Sequence, residues 1–322
     1  MLHSCGHTLI NSHNLNVMTN KIDPTRTLTL RSNFARKMRT RFDALVRLIV
    51  KAIVEKDVFG LIDKSINTLS VSDMFLPPNK AFNYTTSQDK IKAFMDWLDE
   101  MVRTGILEIS TIPGATQLSI EEAWTDIYIL SAYQRGIARA YSELRKAGYD
   151  VPSIESQGGM SVVFNQPFHI ERVGLLYTRV FQNLKGITAE MDTQISRVLA
   201  QGMAEGKGPR EIARLMRKVI TGVGDDLSLT DTLGRYIPAK RRAEMLARTE
   251  IIRAHHQASI QTYRSWGVHG VDVEAEWVTA GFSVCPDCEE MEANSPYTLD
   301  EIEFMIPLHP MCRCVAIPVA KN

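Results

Sequence analysis

Residues 271–277 have the sequence Val-Asp-Val-Glu-Ala-Glu-Trp, and a second alternating run, Val-Ala-Ile-Pro-Val, occupies residues 315–319. In the first run, apolar side chains alternate with acids, which is the period of a half-buried β-strand. Between the two runs lie Cys285-Pro-Asp-Cys288 and His309-Pro-Met-Cys-Arg-Cys314. The sequence therefore predicts a small β unit whose two strands flank a loop rich in cysteine and histidine.

The composition of this loop indicates a metal site. The chain has 5 cysteines, and all except Cys5 fall within residues 285–314. A Cys-x-x-Cys turn presents two thiolates from one side, and a second pair of soft ligands completes the tetrahedral shell that zinc prefers. His309, Cys312 and Cys314 are three candidates for the last two coordination positions. We predict a structural zinc ion with these candidate ligands: Cys285, Cys288, His309, Cys312 and Cys314.

Two other interpretations of the cluster remain open. Four cysteines allow three disulfide connectivities, although a reducing compartment disfavours them. A catalytic zinc needs an open coordination position and a placed base, whereas here five soft groups are available to fill the shell. The chain also has no P-loop, no G-x-S-x-G and no G-x-G-x-x-G motif. We therefore predict no catalytic residues and no enzymatic activity.

The rest of the chain has mainly helical periodicity. Apolar residues recur every three or four positions in the stretches that begin near Phe34, Ile91, Ile170 and Met191. Ser119 and Glu122 have the spacing of a capping box, which predicts a long helix starting at Ser119. Small residues follow one face of Lys240–Trp266 and indicate close packing against another helix. The predicted fold class is mainly α, with a helical N-terminal half and a helical C-terminal half ending in the metal-stapled β unit.

Breaks in this periodicity suggest a domain organisation. Residues 1–25 are predicted to form a mobile tail and residues 26–151 a helical domain. Residues 152–167 include Ser-Ile-Glu-Ser-Gln-Gly-Gly and interrupt the pattern, so we predict a linker there. Residues 168–322 are predicted to form the second domain, which carries the Cys/His cluster at 285–314.

The charge of the chain is balanced overall but uneven along it. Lys and Arg number 37, as do Asp and Glu, yet the segment from Pro24 to Arg47 contains a single acid, Asp43. Such local basic excess engages phosphates or acidic surfaces, although it is also typical of a solvated helix face. The predicted contacts with nucleic acid or an acidic partner are Arg31, Arg36, Lys37, Arg39 and Arg41.

Membrane and secretory roles are not expected. The sequence has no run of 18 apolar residues, and polar residues interrupt the first 21 positions throughout. We therefore expect no membrane partner and a reducing, cytosolic origin.

The C-terminal half resembles a family of bacteriophage head-morphogenesis proteins, the Mu F-like or SPP1-type minor head proteins. The resemblance covers roughly residues 167–318 and rests on motifs that occur in a fixed order. They are Ile195-Ser-Arg-Val-Leu-Ala-Gln-Gly, Gly208-Pro-Arg-Glu-Ile-Ala, Ala247-Arg-Thr-Glu250 with Arg253 and Ala258, Trp277, Cys285-x-x-Cys288 and His309-Pro-Met-Cys-Arg-Cys314. Asp23-Pro-Thr-Arg-Thr, Phe42 and Asp57-x-Phe-Gly60 are also similar to N-terminal regions found with this domain, whereas residues 60–160 match nothing recognisable.

The resemblance implies a minor capsid protein, with residues 168–322 as its Mu F-like domain. Such a protein would act at the portal vertex during procapsid assembly, and in DNA packaging or ejection. Its expected partners are the portal protein, a scaffold or major capsid protein and packaged double-stranded DNA. It would be found in the host cytoplasm during assembly and then inside the capsid near the portal. A cellular zinc-stabilised nucleic-acid-binding protein is the first alternative, and a zinc-dependent hydrolase or transferase is the second.

Overall fold

The computed structural model describes residues 23–61, 86–112, 120–222, 237–281 and 284–320. The predicted mobile tail therefore lies almost entirely outside the described residues. The chain divides into two compact units, each built from separate stretches of sequence. The first unit comprises Met1–Asn33, Ile127–Tyr177 and Arg248–Asn322, and the second comprises Phe34–Asp126 and Thr178–Ala247. The domain boundaries predicted from the sequence stay a prediction.

Helices dominate both units, as the periodicity predicts. The helices are α1 Leu28–Val50, α2 Ser87–Gly105, α3 Asp126–Lys146, α4 Met160–Phe164, α5 Pro167–Ala204, α6 Pro209–Thr221, α7 Ala239–Gly267, α8 Pro286–Ala293 and α9 Leu299–Ile302. The strands are β1 Ile109–Ile112, β2 Ile120–Ala123, β3 Val273–Val278 and β4 Val315–Ala320. The mainly helical fold class with a small C-terminal β unit is confirmed. Within the described residues, no helix combines the length and apolarity that a membrane span requires.

The second unit has its core around α1 and α2. Phe42, Leu45 and Ile49 are buried along the predicted face of α1, and a π-helical turn at Lys51–Glu55 continues it. Phe94, Leu98 and Val102 form the buried face of α2, whose first turn is capped by the Thr86 side chain. Burial of these apolar side chains supplies most of the driving force for folding the unit.

The predicted helix start at Ser119 is wrong. Ile120–Ala123 forms β2, which pairs antiparallel with β1 in a register that sets Ile109 opposite Ala123. The helix begins instead at Asp126, whose carboxylate accepts a hydrogen bond from the Ala123 N–H at 3.0 Å. An aspartate at the start of a helix satisfies free N–H groups and complements the helix dipole, so the signal that ends β2 also begins α3.

Gly186 does not end a helix, although two successive apolar stripes meet near it. The helix α5 runs through this glycine for 38 residues, from Pro167 to Ala204. Gly208 then caps α6, which has Pro209 in its first turn, where the missing N–H of proline costs no helical hydrogen bond. Apolar side chains buried in the second unit lie along both segments, including Ile195, Leu199, Ile212 and Met216.

In the first unit, α3 and α7 pack against each other through small residues. Ala254 and Ala258 on α7 are fully buried, and a Cβ added to Gly136 on α3 would lie 2.2 Å from the His255 carbonyl oxygen. The Ser259 hydroxyl also donates a hydrogen bond to the Gly136 carbonyl oxygen at 3.2 Å. The predicted close packing along α7 is confirmed.

The two C-terminal strands pair as the sequence predicts. Strands β3 and β4 are antiparallel, with Trp277 opposite Ala316 and Val278 opposite Val315. Trp277, Ala275 and Ala316 are fully buried, so the pair has one face in the core of the first unit. The segment joining the strands contains α8 and α9 and carries the cysteines and the histidine.

Residues 152–167, the predicted linker, contain a 3-10 turn and a short helix. A 3-10 turn covers Glu155–Gln157 and α4 follows at once, with Val163 buried. Gly158 and Gly159 both have positive φ angles, which glycine adopts without strain. The segment lies inside one stretch of the first unit, between residues 127 and 177.

Candidate metal centre

Cys285 and Cys288, the first arm of the cluster, lie at the start of α8. Cys285 is the N-cap residue, and its Sγ accepts a hydrogen bond from the Cys288 N–H at 3.4 Å. Pro286 occupies the first helical position, where its fixed φ angle suits the helix and its missing N–H costs nothing. The turn therefore sets the two sulfur atoms on the same side of the chain.

The second arm is a tight turn that follows α9. The Cys312 N–H donates to the His309 carbonyl oxygen at 3.1 Å, and Met311 adopts a φ angle of 69° between them. The Met311 N–H donates to the Thr249 hydroxyl at 3.0 Å, which ties this turn to α7. Cys314 directly precedes β4, so the strand fixes the last sulfur atom.

The donor atoms of the two arms converge. His309 Nε2 lies 3.2 Å from Cys285 Sγ and 3.3 Å from Cys288 Sγ, and Cys288 Sγ lies 3.9 Å from Cys312 Sγ. Two groups of three donors each fit within 4.8 Å, namely Cys285, Cys288 and His309, and Cys288, Cys312 and Cys314. All five predicted candidates are brought together, and Cys288 belongs to both groups.

The spacing suits a zinc ion. Sulfur at about 2.3 Å and nitrogen at about 2.1 Å from a tetrahedral centre are about 3.6–3.8 Å from each other, close to the separations observed here. A disulfide requires sulfur atoms about 2.05 Å apart, and Cys285, Cys288, Cys312 and Cys314 are all free. The residues present therefore fit a divalent soft metal.

The thiols differ in acidity. Burial raises the pKa of Cys288 to about 12, whereas a hydrogen bond from the Cys314 thiol lowers the pKa of Cys312 to about 5. The same hydrogen bond raises the pKa of Cys314. Burial and the neighbouring thiols thus suppress ionisation of Cys288 and Cys314, and a bound cation would remove this penalty by stabilising the thiolates.

The basic residues predicted to bind nucleic acid differ in exposure and in the partners that they contact. Arg31 is buried and its Nη2 lies 2.5 Å from Asp23 Oδ1. Arg39 pairs with Glu244 at 3.1 Å, and Arg41 pairs with Glu108 at 2.7 Å and stacks over the Trp124 ring. Arg36 and Lys37 are exposed on α1. The nucleic-acid contact stays a prediction, and it rests on these two residues.

Sequence reasoning missed Arg248, which lines a cavity beside the Cys/His cluster together with Arg31 and Arg313. Arg248 precedes Thr249, the residue that holds the Met311 turn. Arg248 belongs to the Ala247-Arg-Thr-Glu250 motif, but the motif alone does not indicate a place beside the cysteines, because only the folding of α7 against the cluster brings it there.

Part of the chain matches a known protein family. Residues 193–317 match the family described as Phage Mu protein F like protein. That segment is Mu F-like. The predicted resemblance is confirmed over it, and this supports a phage head-morphogenesis protein. The Mu F-like segment begins inside α5, contains α6 and α7, and includes all five donors of the cluster. No curated protein and no solved structure gives a significant match to the chain.

Proposed function

We propose that the protein is a minor capsid component that acts at the portal vertex during procapsid assembly. The observation that carries this proposal is the Mu F-like match over residues 193–317. The geometry is consistent with a structural role, because the donors lie within a short loop held by a strand pair and by α7. The proposed partners are the portal protein and a scaffold or major capsid protein, and the proposed location is inside the head near the portal.

We further propose that one zinc ion bound by four of the five donors holds this loop in its fold. Two strands and two short helices bury too little apolar surface to be stable alone. When bound, the ion contributes binding free energy that becomes folding free energy, since the unfolded chain has no preformed site. The side chains themselves position the loop: Cys285 caps α8, and Thr249 holds the Met311 turn.

Composition of purified heads tests the portal assignment. Heads assembled with and without portal subunits would be purified and probed for the chain. We expect a few copies per head when portal is present and none in portal-free shells. An amount that follows the major capsid protein in portal-free shells would contradict the portal assignment.

A paired substitution tests whether the cluster supports this role. Cys288→Ser should lower the yield of filled heads and the zinc content together, because Cys288 belongs to both donor groups. Cys5→Ser, at the cysteine that is remote from the others in sequence, is the matched control and should change neither. Wild-type head yield with Cys288→Ser would show that head assembly does not depend on the metal loop.

A further inference from the structure

One side of α1 carries a row of exposed cations, which we call the α1 stripe. Lys37, Arg47 and Lys51 are exposed and lie on one side of a helix with 3.6 residues per turn, Lys51 being the first residue of the π-helical turn that continues α1. Leu48, on the same side, is 44% exposed. Among the residues that the structure describes, the three cations form no ion pair. The α1 stripe is therefore a basic helix face, with an apolar residue in it, that has no described partner.

The segment from residue 268 to residue 312 has the opposite charge. It contains ten acidic residues and neither lysine nor arginine, although the two charge types are equal in number over the whole chain. The rest of the chain therefore has a net positive charge. A molecule whose charges are separated in this way presents complementary surfaces, and such surfaces attract each other between copies.

The outer face of the β3–β4 pair combines acidic and apolar side chains. Glu274 and Glu276 lie on the side of β3 opposite to the buried Trp277, because successive residues of a strand alternate between its two faces. Glu276 lies opposite Ile317 in the register of the pair. Glu274 lies opposite Val319, and both of these aliphatic side chains are partly exposed. Neither glutamate forms an ion pair with a described residue.

We propose that a second copy of this chain docks on the α1 stripe through the outer face of its β3–β4 pair. The two glutamates of that face pair with the cations of the stripe, and its two aliphatic side chains cover Leu48. Each copy has both surfaces, so the contact runs head to tail and builds a ring or an open row of copies. This inference does not depend on the portal assignment, because self-association is measured on the purified chain.

DNA and an acidic surface of another protein are the competing occupants of the α1 stripe. A second copy is favoured for two reasons. The complementary charge is present on the chain itself in equal amount, and aliphatic side chains give Leu48 an apolar contact that phosphate groups do not provide. Either competing occupant predicts that the purified chain, free of nucleic acid, stays monomeric.

The test is sedimentation velocity of the full chain, free of nucleic acid, at about 50 mM and about 500 mM NaCl, since salt screens exposed charges. We expect species larger than the monomer at low salt and a shift towards the monomer at high salt. Arg47→Glu with Lys51→Glu should raise the dissociation constant at least about tenfold, because like charges then face each other. Lys185→Glu with Arg197→Glu, at exposed positions of α5, changes the net charge equally and is the matched control, which should associate as wild type.

A second double substitution tests the other surface. Glu274→Lys with Glu276→Lys should weaken self-association as strongly, and its circular dichroism spectrum shows whether it is folded. Glu276→Lys alone provides a second reading if the double variant does not fold. An equimolar mixture of this variant with the α1 variant should associate again, because the glutamates of the α1 variant meet the unchanged α1 stripe of the other.

Two outcomes overturn the proposal. A wild-type chain that stays monomeric at low salt leaves the α1 stripe to DNA or to another protein. Self-association that persists in either folded double variant shows that a different surface of the chain is responsible.

Discussion

A Cβ added to Gly136 would lie 2.2 Å from the carbonyl oxygen of His255 and 2.7 Å from the Cβ of Ala258. Helices α3 and α7 of the first unit thus approach to a distance that only glycine permits. The contact also includes a buried hydrogen bond, which the Ser259 hydroxyl donates to the Gly136 carbonyl oxygen.

Gly136→Ala should therefore destabilise the protein. Inserting a methyl group against backbone atoms forces α3 and α7 apart, and we expect a loss of about 1–3 kcal/mol in the free energy of unfolding. Gly186→Ala is the matched control, since that glycine is exposed inside α5 with nothing within 4 Å of an added Cβ. It should stabilise the helix by about 0.5–1 kcal/mol. Urea unfolding measures the free energy of unfolding of both variants. Equal changes in the two would contradict the close approach of α3 and α7.

The fourth metal ligand can be identified by two single substitutions. His309 Nε2 lies near Cys285 and Cys288, whereas Cys314 is grouped with Cys288 and Cys312. We expect His309→Ala to lower zinc affinity by more than about 100-fold, because even groups that only orient metal ligands contribute about 10–100-fold. Cys314→Ala should cost less.

Competition with a chelator measures these affinities. The reverse order of losses would indicate a four-thiolate site, and unchanged affinity in both variants would mean that zinc uses neither His309 nor Cys314.

Buried histidines should make the protein less stable in mild acid. Burial lowers the pKa of His256 from 6.5 to about 4, so the side chain is neutral in the folded state. Between these two pH values the unfolded chain binds the additional proton, and stability falls as pH falls by at most about 1.4 kcal/mol per pH unit for this group.

His256→Gln should reduce that slope between pH 6.5 and pH 5. Glutamine keeps an N–H group for the carbonyl oxygens of Ile302 and Glu303, which His256 Nε2 contacts at 3.0 and 3.1 Å. Melting temperature against pH is the measurement, and the other histidines are common to both proteins. A variant with the wild-type slope would show that His256 does not cause the loss of stability in acid.

The exposed part of the basic segment should determine any DNA binding by α1. Replacing Arg36 and Lys37 together by glutamine should weaken binding and reduce the salt slope by about 1–2, because each phosphate contact contributes about 0.9. Arg39→Gln is the comparison, since Arg39 pairs with Glu244 and its loss should affect stability more than the salt slope. Anisotropy titrations over a range of salt concentrations distinguish the two.

The sequence predicts those parts of the fold that depend on local patterns. The β3 and β4 runs alternate visibly, and the cysteines and His309 are close in sequence to the strands that position them. The start of α3 was missed because Ser119 and Glu122 have a capping-box spacing in a segment that pairs with β1. Propensity is a weak guide where a partner strand competes for the same backbone groups.

The parts that could not be predicted depend on distant contacts. Glycine often ends helices, yet α5 continues through Gly186. Burial of apolar side chains before and after it outweighs the cost of about 1 kcal/mol for a glycine inside a helix. Arg248 and Asp23 belong to motifs quoted above, but neither motif indicates a position near the cysteines. Asp23 reaches the metal cavity only through Arg31, eight residues away on α1.

The pairing of Val278 with Val315 places Cys314 at the first step of a hydrogen-bonded ladder. A shift of one rung would displace that sulfur by about 3.3 Å, more than a whole metal–sulfur bond. Strand alignment and the proposed metal site therefore depend on each other: a misaligned strand pair would not bring the donors together, and a bound ion would stabilise only the aligned pair.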